Sequence, residues 1–203
     1  MGRRSSYRSI ASLQRDLAVC RACVEAGYPL ESLAVLNAGH DQPAYMYGQA
    51  PGPVEGGERR PWRGRAGQTL RRWLQMEEEE FYSTFYCASV TRCYPGKAPN
   101  GKGDRVPTPQ EQELCRFWRD LELKLLRPRL IVPVGGLAIR RLLGCTQLAG
   151  TIGERFELGD AAVVPLPHPS GVSLWLNSAE NRTLVERAVR LIRAELRALG
   201  AAR

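Results

Sequence analysis

Short apolar runs alternate with amphipathic stretches along this chain. Residues 44–48 (AYMYG), 85–90 (FYCASV), 129–136 (RLIVPVGG) and 161–170 (AAVVPLPHPS) read as four strands, each apolar and bounded by glycine or proline. Between them the period lengthens to that of a helix. Residues 7–19 put Ile10, Leu13 and Leu17 on one face, and 67–80, 108–126, 137–144 and 178–199 continue the series. Thr108-Pro109-Gln110-Glu111 is a helix start: threonine as N-cap, proline as first helical residue, an acid behind. Asn177-Ser178-Ala179-Glu180 has the spacing of a capping box. Strand–helix alternation predicts an α/β fold. The expected form is a single domain over 1–203, a three-layer α/β/α arrangement on a short, mostly parallel four-stranded sheet. Functional loops in such sheets leave the carboxyl ends of the strands. Three unusual segments sit there, GQAPG (48–52), TRCYPGK (91–97) and HPSG (168–171), so they are expected to meet at one crevice.

Composition narrows the partner. The 203 residues carry a net charge of +8, a balance that suits a polyanion through release of condensed counterions. Basic residues concentrate in 58–72, 92–105 and 182–203, and acids in 76–80 and 110–115. No apolar run is long enough to cross a bilayer, and the first twenty residues lack a signal-peptide core, so a cytoplasmic, nucleoid-associated protein without a membrane is expected. Six cysteines, two of them as Cys20-x-x-Cys23, favour metal binding or redox chemistry over a secreted disulfide scaffold.

The motifs carry a resemblance. GQAPG after a strand, seven further residues and then RPWRGRAG (60–67) resembles the first motif of the iron–sulfur uracil-DNA glycosylases, of the family 4 and family 5 type. LPHPSG (166–171) resembles the superfamily's second motif. CRAC (20–23), TRCYP (91–95) and ELC (113–115) resemble its four-cysteine pattern. The resemblance spans about residues 10–195. It implies a monofunctional glycosylase that hydrolyses the N-glycosidic bond of uracil in DNA, starting base-excision repair as a monomer. It also implies a structural [4Fe–4S] cluster on Cys20, Cys23, Cys93 and Cys115, although arithmetic alone suits zinc equally.

The resemblance distributes roles. Gly48, Gln49, Ala50 and Pro51 would line the base pocket, and Trp62, where the family has phenylalanine, would stack on the base. Ser89 would face the base edge, and His168 would donate to the leaving anion. Gln49 and Glu55 complete the expected catalytic set with His168, Glu55 as the best remaining carboxylate to position a water or the sugar cation. Pro169, Ser170, Gly171, Val172 and Ser173 would contact DNA, with Val172, Leu174 or Trp175 as a wedge. Lys97 and Lys102, in a loop longer than the family's, would face phosphates or water. Three positions depart from the pattern. Gln49 replaces glutamate, Ala50 stands where family 1 enzymes have a water-orienting aspartate, and Ser89 replaces asparagine. These leave two alternatives open: a glycosylase for hypoxanthine, xanthine or a mismatched base, and a tight or covalent uracil-DNA binder with little turnover.

Overall fold

The computed structural model describes residues 4–170 and 174–201. In chain order the elements are α1 (Ile10–Ala18), α2 (Ala22–Glu25), β1 (Ala44–Gly48), α3 (Pro53–Glu58), α4 (Arg65–Leu74), α5 (Glu78–Thr84), β2 (Phe85–Ser89), α6 (Pro109–Leu126), β3 (Leu130–Pro133), α7 (Gly136–Leu143), β4 (Phe156–Leu158), β5 (Ala161–Val163), a 3-10 turn (Leu174–Asn177) and α8 (Ala179–Ala201). The sheet order is β2-β1-β3-β5-β4. All neighbours are parallel except β4, which runs antiparallel to β5.

Four of these strands were expected, and the sheet has five. The extra strand, β4, holds only three residues, Phe156–Leu158, none of them buried. Nothing so short and half-polar carries a period-2 signal. Gly159, at φ +58°, makes the tight return to β5.

Alternation along each strand splits the core into two layers. Met46, Cys87, Val132 and Val164 face one side, where Leu70, Phe81, Ala188 and Ile192 of α4, α5 and α8 cover them. Tyr45, Tyr47, Tyr86, Ile131 and Val163 face the other, against Leu123, Leu126 and Leu142 of α6 and α7. A third cluster joins α1 to α6 through Leu13, Leu17, Cys115 and Trp118.

Local signals account for the helix ends. Thr108 Oγ1 accepts from the Glu111 amide at 3.2 Å, and the Glu111 carboxylate accepts from the Thr108 amide at 2.7 Å, a reciprocal cap. At the start of α8, Ser178 Oγ accepts from the Asn181 amide at 3.4 Å. Two helical readings need correction. The helix expected over 67–80 is two helices, because Gln75 turns left-handed (φ +55°) and ends α4 before the acidic run begins α5. The Gly/Pro-rich stretch after β1 is also not all loop. Pro53 starts α3, and Glu55, three residues after Gly52, accepts from the Gly52 amide at 3.1 Å to close its first turn.

Candidate active-site cleft

Parallel register brings the carboxyl ends of β1 and β2 side by side, with Gly48 opposite Ser89. The pairing runs one step further: the Val90 amide donates to Gly48 O at 2.9 Å and the Thr91 amide to Gln49 O at 3.2 Å. Beyond β5 the chain stays extended to Leu166, whose amide donates to Pro133 O at 2.9 Å. Two residues later His168 reaches the same end of the sheet. The result is a cleft of about 560 Å³.

Its wall holds Gly48, Gln49, Ala50, Pro51, Glu55, Trp62, Ser89, His168 and Ser170, residues spread over 123 positions of the chain and brought together by three strand ends. Pro169 does not join them; it is buried and absent from the wall. Gly171, Val172 and Ser173 lie outside the described residues.

Trp62 is held by its backbone. It adopts a left-handed conformation, φ +58°, a strained state for a large side chain. Arg71 donates to the Trp62 carbonyl at 3.0 Å, and Tyr82 donates to the Pro61 carbonyl at 2.6 Å. The indole covers Gly48, where a Cβ would lie only 3.0 Å from Cζ2. Glycine at 48 therefore lets the ring settle against the strand end. The Trp62 and His168 rings lie 6.5 Å apart, inclined by 37°.

His168 accepts at Nδ1 from the Ser170 amide, 3.3 Å away. The neutral ring then carries its proton on Nε2. Burial holds its pKa below the ordinary 6.5, with the Glu55 carboxylate partly opposing the shift. The ring is thus a neutral donor at physiological pH.

Ser89 and Glu55 are more committed than their sequence positions reveal. Ser89 Oγ donates to Thr91 O at 2.7 Å, which leaves the hydroxyl oxygen as an acceptor. Both oxygens of Glu55 accept from loop amides, Oε2 from Gly52 and Oε1 from Gly64 at 2.7 Å. The carboxylate ties the start of α3 to the start of α4.

The cleft also contains residues that sequence reasoning passed over: Arg65, Gly103, Asp104 and Arg105. The last three belong to the long loop after β2. That loop is a small hairpin, in which Lys97 bridges Asp104, Ala98 donates to Gly103 O at 3.1 Å and the Gly101 amide donates to Ala98 O at 2.8 Å. Asn100-Gly101 at its tip was the available signal. Arg105 anchors its return, forming two hydrogen bonds to Glu111 at 2.7 and 2.8 Å.

A second, apolar cavity lies behind the cleft. Cys20, Cys23, Cys93 and Cys115 all line it, beside Arg92 and Trp118. Burial raises the Cys93 and Cys115 thiols to about 12, the neighbouring thiols adding to the effect and Arg92 opposing it. Among the described residues, no group of three or more His, Cys, Asp or Glu side chains is arranged to hold a metal ion. Arg92 passes from this cavity to the fully buried Glu122, which also accepts from Tyr45 at 2.7 Å and Tyr86 at 3.0 Å. Cys87 lies under the cleft, and Cys145 is half-buried after α7. Among the described residues no helix is long and apolar enough to cross a membrane.

Comparison with known proteins agrees with this arrangement. A type-4 uracil-DNA glycosylase of Thermotoga maritima is 31% identical over 126 residues, covering 61% of this chain and 62% of that protein. One of Archaeoglobus fulgidus is 27% identical over 177 residues, covering 81% and 83%. A type-5 uracil-DNA glycosylase of Pyrobaculum aerophilum is 32% identical over 104 residues, covering 50% and 43%. The match thus spans less than two thirds of the Thermotoga and Pyrobaculum relatives. The model of the Uracil DNA glycosylase superfamily matches residues 38–193, a stretch that contains β1 to β5 and all of the cleft residues named above, and the chain belongs to that superfamily.

Proposed function

We propose that the protein is a monofunctional DNA glycosylase that hydrolyses the N-glycosidic bond of uracil in DNA, acting as a single-domain monomer in the cytoplasm. The observation that carries this reading is His168: a neutral imidazole, its Nδ1 engaged, with a proton on Nε2 in the same cleft wall as Trp62. Breaking C1′–N1 leaves negative charge on the base. A fixed donor in a partly dry site stabilises that charge as it develops, more than it stabilises the bound substrate.

The other side chains suit a flipped nucleotide. Trp62 offers a ring face for stacking, worth about 1–3 kcal/mol. Gly48, Gln49, Ala50 and Pro51 offer close backbone approach, and Arg65 with Ser170 lies where phosphates would pass. Glu55 acts by holding both ends of the loop that carries Trp62.

Ser89 favours a second reading on base choice. With its proton on Thr91 O, it presents an acceptor alone, which suits an imide N–H but reads less of the base edge than an amide does. Other deaminated bases, hypoxanthine and xanthine among them, are therefore the second substrate class for the same cleft.

Cys20, Cys23, Cys93 and Cys115 would hold a [4Fe–4S] cluster. Four thiols around one apolar cavity form the right donor set. The same four thiols are also a donor set for a structural zinc, so the metal content of the purified protein decides between them. When bound, the cluster would supply structural cross-linking between α1, α6 and the loop after β2. Brown protein absorbing near about 400 nm supports it; colourless, zinc-loaded protein refutes it.

The test of the activity is a panel of duplexes, each with one lesion, incubated with wild type and His168→Ala. Release of uracil by wild type and a loss of roughly 100-fold or more in the variant are expected. Release of another base alone, or a covalent adduct on a denaturing gel, would replace the uracil reading.

A further inference from the structure

We infer that Asp104, at the end of the 97–104 hairpin, is the carboxylate that holds the attacking water, an inference that rests on the glycosylase reading above. The cleft wall contains two carboxylates, Glu55 and Asp104. Glu55 has both oxygens on backbone amides. Asp104 is held through Oδ1 alone, which accepts from Tyr94 Oη at 3.1 Å and from Lys97 Nζ at 3.3 Å. Its Oδ2 lies over Gly52, 3.5 Å from where a Cβ would be. Ala50, the position whose side chain is too short to reach water, is two residues away on the same turn. Asp104 thus approaches in space the turn that lacks an acid in sequence.

The chemistry requires such a group. As C1′–N1 breaks, its electron pair leaves with the base, and the sugar becomes cation-like. The water oxygen bonds to C1′. Its proton passes to Asp104 Oδ2 and on to solvent, while the base anion takes a proton from solvent. An oriented carboxylate both aligns the water and offsets the positive charge on the sugar. Tyr94 and Lys97 fix the orientation of that carboxylate.

The experiment measures single-turnover release from a duplex with one uracil, together with duplex affinity, for wild type, Asp104→Asn and Asp104→Ala. A rate loss of roughly 100-fold or more is expected, with duplex affinity unchanged within about threefold. Added formate should restore part of the Asp104→Ala rate, since a small carboxylate can enter the gap, and should not restore His168→Ala. Release by Asp104→Asn within about twofold of wild type overturns the inference and leaves the glycosylase reading standing. Wild type that releases no base from any duplex overturns both. Asp104 lies on an exposed hairpin, so the variants should fold; if both melt far below wild type, Asp104 is structural and the inference fails.

Discussion

The carbonyl oxygen of Trp62 occupies the space where a side chain at residue 67 would begin. A Cβ at Gly67 would lie 1.8 Å from that oxygen and 2.9 Å from the Trp62 Cα. Because the clash is with backbone, no rotamer relieves it. Gly67→Ala should cost about 1–3 kcal/mol or more, as overpacking does. It should also displace the indole from Gly48. A lower urea midpoint and slower base release would appear together; an unchanged midpoint would contradict the geometry.

Trp62 itself is expected to act in binding more than in stability. Its ring is half-exposed in the cleft, so Trp62→Ala removes stacking area from the flipped base. The loss should be about 1–3 kcal/mol in affinity for uracil DNA, with Trp62→Phe retaining most of it. Titration of catalytically slow His168→Ala protein with lesion duplex measures this directly.

His168 predicts the pH response. Its folded pKa lies below the 6.5 of the free side chain because burial disfavours the cation. The folded state therefore binds fewer protons than the unfolded chain between the two values. Its contribution to stability is present above about 6.5 and is lost as pH falls toward the folded pKa. Activity should follow the same sign: flat from about pH 8 to about pH 6.5, then declining as the ring gains a second proton and releases the Ser170 amide. In single-turnover profiles, a rate that rises on acidification would contradict a neutral donor.

Arg92 and Glu122 form a buried pair, 3% and 0% exposed, joined by Tyr45 and Tyr86. Removing one partner strands the other charge. Arg92→Met should destabilise by about 3–5 kcal/mol, and adding Glu122→Leu should recover much of that loss. Chemical denaturation of the single and double variants measures the coupling.

Much of this was legible along the chain. The four core strands were readable because each is a run of apolar residues buried on both faces. The Thr108 cap was readable because capping is a contact over three residues. Trp62, Ser89 and His168 were found through their motifs, and all three line one cleft. The break at Gln75 was hidden, since a left-handed residue there leaves the helical pattern on both sides intact. The strand Phe156–Leu158 was too short to show a period. Asp104 was hidden because its place in the cleft comes from the fold of a long hairpin, whose return Arg105 anchors on Glu111.

The amino-acid sequence by itself determined four of the five strands, the long helices and the identity of the groups at the strand ends, because propensity, capping and periodicity act over a few residues. Tertiary structure alone decided which of those groups are free to act. Parallel pairing of β1 with β2 sets Gly48 beside Ser89, and the pairing of β1 with β3 and of β3 with β5 brings His168 to the same end. Only in that setting do Glu55 and Ser89 turn out to be engaged by backbone, while Asp104 keeps an oxygen for the cleft. Such commitments depend on contacts between residues far apart in the chain, which no local pattern encodes.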